Sequence, residues 1–209
     1  MKRAGSLLFS VLAVSLMLGI ASGNALAQGD NSVYFVTYYS NAHTAGAPNG
    51  VLRLINDGDK STTSTEGVPN GNLWASIYVF DDTQEFQECC SCEVTPDGLT
   101  SEWLNTELLA NSLTGKVNTR GVIKVISSST APGDPTNNTV APGIRGWATH
   151  VQRTTVGDGT ATFALTETTL SDSNLSATEN GDLESLCSYA ITLGSGKGVC
   201  SCTPEGSDF

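Results

Sequence analysis

"ECCSCEVTPDG", residues 88–98, places three cysteines within four positions and closes on a turn signal. In an extended strand, residues two apart project to the same face, so Cys90 and Cys92 share one face and Cys89 points to the other. "GVCSCTPEG" (198–206) repeats the Cys-Ser-Cys core with Cys200 and Cys202, which share a face if that stretch is extended too. Two such strands side by side can be cross-linked twice, or can offer four thiolates to one metal.

The spacing argues against the metal. Structural zinc sites separate paired ligands by two to four residues so that a turn wraps the ion. A thioredoxin-like centre needs Cys-x-x-Cys at a helix N-terminus, and neither stretch supplies it. The sixth cysteine, Cys187, lies on the apolar face of a predicted helix and pairs most simply with Cys89. The expectation is three disulfides: Cys89 to Cys187, and Cys90 and Cys92 to Cys200 and Cys202. Six cysteines allow fifteen pairings. No metal and no cofactor are expected.

An even cysteine count suits an oxidising compartment, and the first residues supply a route to one. In "MKRAGSLLFSVLAVSLMLGIASGNALAQGD", Lys2 and Arg3 precede an apolar run from Leu7 to Ile20, and "ALA" (25–27) fits a small-x-small cleavage site. Residues 1–27 read as a signal peptide and 28–209 as a single secreted domain. The formal charge is −11, and loss of Lys2 and Arg3 takes it to −13. So acidic a chain repels phosphate backbones and anionic membrane surfaces, and neither nucleic acid nor, once the leader is removed, a membrane is an expected partner.

The remaining pattern alternates with period two. "SVYFVTYYSNA" (32–42), "GVLRLIND" (50–57), "LWASIYVFDD" (73–82), "GVIKVISSS" (121–129), "RGWATHVQRT" (145–154) and "TATFALTETTL" (160–170) read as strands separated by Gly, Pro, Asn and Asp clusters. "TTVGDGTATF" and "CEVTPDGLTSEW" read as hairpins. "NTELLANSLTG" (105–115) holds one helical turn. "GDLESLCSYAITLG" (181–194) reads as a helix with Leu183, Leu186, Cys187, Ala190 and Leu193 on one face and Gly194 as its stop. The fold class is an antiparallel β-sandwich, Ig-like or jelly-roll-like, with one short C-terminal helix.

Catalytic signals are weak. Asp57, Asp59 and Ser61 begin a calcium-loop pattern that Thr62 and Val68 break, and Asp57-Gly58 reads as a plain hairpin turn. "LGSGKG" lacks the spacing and hydroxyl of a phosphate loop. His43 and His150 are the only imidazoles. Asp81, Asp82, Glu85 and Glu88 read as a solvated strand end rather than a glycosidase pair. The tryptophans Trp74, Trp103 and Trp147 read as core, or, if exposed, as a sugar platform. Asn137 and Asn174 sit in N-glycosylation patterns.

The expected function is therefore a non-enzymatic structural or surface-assembly protein at the cell surface or outside the cell, with further copies of itself as partner. A carbohydrate-binding or adhesion module taking glycans is the alternative, and a small secreted hydrolase ranks third. The candidate assembly strand is the first one, Val33, Tyr34, Phe35, Val36, Tyr38 and Tyr39. It is apolar on both faces and lies in a stretch without charge between Asp30 and Arg53. Such a strand is either an inner strand of its own sheet or one donated head-to-tail to a neighbour.

Overall fold

The computed structural model describes residues 31–59, 62–63, 69–157 and 159–203, with the backbone alone for 62–63 and 69–70. The expected signal peptide and its expected cleavage site at Ala27–Gln28, with Ser61 and Val68, lie outside the described residues. The described residues form eleven strands and one α-helix: β1 (Tyr34–Ser40), β2 (Val51–Asn56), β3 (Thr62–Thr63), β4 (Pro69–Asn70), β5 (Leu73–Asp81), β6 (Phe86–Val94), β7 (Leu99–Trp103), β8 (Arg120–Ser128), β9 (Ile144–Thr155), β10 (Ala161–Thr169), β11 (Ser171–Asp172) and α1 (Ala177–Thr192). Two antiparallel sheets carry the fold, in the orders β11-β1-β8-β5-β6 and β10-β9-β2-β7, beside a two-residue ribbon of β3 and β4.

The alternation seen in the sequence divides each strand between two environments. Phe35, Ala75, Ile77, Val79 and Val125 of the five-stranded sheet join Leu52, Leu54, Ile144 and Ala148 of the four-stranded sheet in one core cluster. The opposite face of the five-stranded sheet presents Tyr34, Tyr78, Phe86, Cys89 and Ile126 to Leu183, Cys187 and Ala190 of α1. β1 is apolar on both faces because it is covered on both: Phe35 and Tyr39 enter the first cluster, Tyr34 the second.

The "TPDG" turn departs from the sequence reading. β6 and β7 do not form a hairpin: β6 pairs with β5, and β7 pairs with β2 in the other sheet. The turn is built on Pro96. It fixes φ near −65° at the first central position, and Asp97 comes next at φ 61°, closed by a Gly98 N–H to Thr95 carbonyl bond of 2.8 Å. Those are the requirements of a type II turn, whose twist splays flanking strands, whereas a tight hairpin needs the mirror-image turns. The buried Asn56 receives the crossover by donating to the Val94 carbonyl.

Asp57-Gly58 is likewise a turn without a hairpin. Asp57 Oδ1 accepts the Asp59 N–H, and β2 pairs with β7 and β9 rather than with β3, the next strand in the chain. "TTVGDGTATF" does join paired strands, β9 to β10. "NTELLANSLTG" contributes one wide helical turn at Leu104–Leu108.

The helix starts four residues before the expected one. Ser176 accepts the Glu179 N–H at 3.0 Å, a cap from the pattern "SATE". Gly194, at φ 63°, ends the helix as the sequence suggests. Among the described residues no helix is long and apolar enough to cross a membrane.

Candidate interaction surface

The cysteines sit at one margin of the five-stranded sheet. β6 is the last strand of that sheet, and segment 198–203 runs beside it. Cys89 N–H donates to the Gly198 carbonyl, the Cys200 N–H donates back to Cys89, and Cys89 and Val199 form a parallel bridge. Three disulfides fix the arrangement: Cys89–Cys187, Cys90–Cys200 and Cys92–Cys202, with Cα separations of 5.8, 5.2 and 5.5 Å. The first bond ties α1 to one face of β6, and the other two lie on the opposite face, as strand alternation requires. The Cys90, Cys92 and Cys202 sulfurs lie within 4.8 Å of one another. All three are consumed in disulfides, so none is the thiolate a metal would need. Three disulfides belong to an oxidising, extracellular-type environment.

The same segment protects the neighbouring margin. The Thr203 N–H donates to Glu102 on β7, and the three central residues of β7 are buried although β7 ends its sheet. At the far side of the five-stranded sheet, β1 is paired with β8 along all seven residues and flanked at Phe35 and Val36 by the two-residue β11. The rest of that flank rests on β9. Ser40 Oγ and Asn41 Nδ2 both donate to the Val151 carbonyl, Gln152 donates to the Tyr38 hydroxyl, and the Tyr38 ring stacks on His150 with centroids 4.0 Å apart. Of the candidate assembly residues, Tyr34, Phe35 and Tyr39 are therefore core. Val33 and Val36 are half-buried, and Tyr38 is exposed.

Among the described residues, β10 has none of this cover. It ends the four-stranded sheet, and residues 164–169 are exposed without interruption. Its register shows which of its main-chain groups are open. Leu170 N–H reaches the Gly146 carbonyl and Val156 N–H reaches the Thr160 carbonyl, so even-numbered residues of β10 bond to β9. The main-chain groups of Ala161, Phe163, Leu165, Glu167 and Thr169 point away from the sheet. Glu167, the only charge on the strand, is held by Arg53 at 2.7 Å. The signal available in sequence was the near absence of charge in "TATFALTETTL"; its position at a sheet margin was not.

The outer face of the same sheet continues from β10. Thr149, opposite Glu167, and Trp147, opposite both Arg53 and Thr169, share this side with Trp103, opposite Val51. Trp103 is exposed and Trp147 half-buried, as is Trp74 on β5, so none of the three tryptophans is a core residue.

The titratable groups that stand out in the sequence take part in internal contacts. Burial alone would raise Asp81, but hydrogen bonds from Glu85 N–H and from the Thr83 N–H and hydroxyl outweigh it and hold the carboxyl below its usual range. Asp82 pairs with Arg120 and Glu85 with Lys116. Glu88 is fully buried. It accepts the Asn111 N–H with one oxygen, leaves the other without a partner, and is pushed up to about 7 by burial, with the Asn111 bond and Lys197 opposing. His150 is buried with Nε2 2.7 Å from the Thr168 hydroxyl, and burial lowers its pKa. His43 contacts the Leu109 carbonyl through Nε2.

A disulfide-closed β protein with one bare strand is the class that these features define. Compared with protein-family models, with curated proteins and with solved structures, the chain matches none.

Proposed function

We propose that the chain is exported by its signal peptide, begins at Gln28 when mature, and serves as a non-enzymatic structural or surface-assembly protein outside the cell. Its two sheets pack as a β-sandwich of the Ig-like or jelly-roll-like kind around their shared core cluster. The observation that carries the reading is the contrast among sheet margins: three are covered by the disulfide-linked C-terminal segment, a short strand or β9, and the fourth, β10, offers, among the described residues, five residues of its nine with open main-chain groups. Exposed strand edges are templates for pairing, and soluble proteins ordinarily blunt them. Because β1 is fully paired with its own β8, assembly is assigned to a free margin and not to donation of the first strand.

Light scattering and electron microscopy of the mature, oxidised protein test the reading. Dimers or higher assemblies at micromolar concentration support it; a monomer at millimolar concentration overturns it. The outer-face tryptophans favour a second reading, glycan binding on Trp103 and Trp147. A glycan array that lights up for the native protein and not for W103A/W147A would establish it.

A further inference from the structure

We infer that two copies of this chain pair through β10 about a two-fold axis at Leu165, joining the two four-stranded sheets into one continuous antiparallel sheet. This inference rests on the assembly reading and deepens it, by naming the surface, the partner and the register. Residues of one strand that direct main-chain groups outward must meet residues of the partner that do the same. Those are the odd-numbered residues 161–169, whose midpoint is Leu165. A two-fold axis there sets Leu165 against the partner's Leu165, Phe163 against the partner's Glu167, and Ala161 against the partner's Thr169. All five outward residues find partners, giving about ten main-chain hydrogen bonds.

Charge favours this register over a slipped one. The protein is acidic, so like charges must be kept apart. With Leu165 central, the two Glu167 residues stand four positions apart, roughly 14 Å, beyond a physiological Debye length of about 8 Å. A register sliding the axis to Glu167 would set two carboxylates directly opposite, which destabilises a sheet. Each Glu167 also keeps its own Arg53. Leu165, exposed in a single copy, packs on its counterpart across the axis, a use for an apolar side chain that its own domain does not cover. Isologous pairing uses the same patch on both copies and closes at two, so the product is a dimer and not a filament.

The register makes a cross-linking test decisive. Residues in a hydrogen-bonded antiparallel pair have Cα atoms about 5.5 Å apart, within disulfide range, whereas positions offset by eight residues are about 27 Å apart. Leu165→Cys in the mature, oxidised protein should form a covalent dimer. Peptide mapping should find the two copies joined to each other at position 165 with the three native disulfides intact, and Thr169→Cys should give no such dimer. Leu165→Lys places two ammonium groups across the axis and should weaken dimerisation at least about 100-fold in sedimentation equilibrium, without changing the melting temperature at dilutions where both proteins are monomeric. If the wild-type protein assembles but L165K assembles equally well, or if T169C cross-links as readily as L165C, the β10 interface is wrong and assembly uses another surface. If the wild-type protein is monomeric throughout, the assembly reading fails as well.

Discussion

β6 and β10 are both margins of antiparallel sheets, nine residues long, yet they are finished in opposite ways. β6 is almost wholly buried, lined by segment 198–203, and tied from both of its faces to the rest of the chain by disulfides. β10 is exposed, uncharged but for one paired glutamate, and bonded on one side only. An open margin is a hazard in a crowded environment, and chains normally blunt it with charge, proline or a covering segment. One margin carries three disulfides, and among the described residues the other carries no such device; the assembly proposed above rests on this contrast.

The largest effect expected from breaking that contrast lies at the staples. With Cys89–Cys187 intact, Cys90–Cys200 closes a circuit of about 15 residues, worth about 3 kcal/mol, and Cys92–Cys202 then closes one of about six, worth about 2 kcal/mol. Because either tail bond makes the other's circuit small, C90A/C200A or C92A/C202A alone should lose about 2 kcal/mol in urea denaturation, and the quadruple variant about 5 kcal/mol. Equal and additive losses would show that the two bonds act independently.

Glu88, on the covered strand, gives the next effect. Its folded pKa near 7 lies above the ordinary 4.5, so the native chain holds the extra proton. The burial penalty is absent below pH 4.5, grows as pH rises, and is fully felt above pH 7, where it amounts to about 3 kcal/mol at most. Glu88→Gln should therefore stabilise the protein at pH 8, leave it nearly unchanged at pH 4, and flatten the fall in stability between them, as read by denaturant titration at each pH.

A smaller change is expected at the helix that the Cys89–Cys187 bond anchors. Ser176→Ala removes the cap on the Glu179 N–H and should cost about 1 kcal/mol in the same assay. Replacement by Asp should restore it. At the bare margin the effect on a single copy is least. Leu165→Ala should change monomer stability by less than about 0.5 kcal/mol, measured in dilute solution, because Leu165 gains little from its own domain.

Much of this was legible in the residues. Period-two alternation located β1, β2, β5, β8, β9 and β10, six of the eight described strands longer than two residues, and alternation also explains why Cys90 and Cys92 share a face opposite Cys89. The helix was legible through its apolar stripe, though its start was not, because the stripe begins only at Leu183 while the cap lies at Ser176. The crossover at "TPDG" reads as a hairpin because strand-turn-strand is the same pattern whether the second strand returns to its sheet or leaves it. The proline does not distinguish the cases, since Pro at the first central position suits the type I turns of longer hairpin loops as well as the type II turn found here.

The sequence by itself determined the local terms: which stretches are extended, where turns must fall, and which cysteine side chains share a face. These depend on residues two to four apart. The tertiary structure alone decided which strands lie at the margins, that β1 is enclosed by β8 on one side and by β11 and β9 on the other, and that β10 is open. Strand order depends on contacts between residues far apart in the chain, such as Phe35 with Val125 or Cys90 with Cys200, only the second of which leaves a mark in the sequence. A strand of Thr, Ala and Leu can be written identically whether a neighbour lies beside it or not, since hydrogen bonding along a sheet is made by the main chain, which every residue shares.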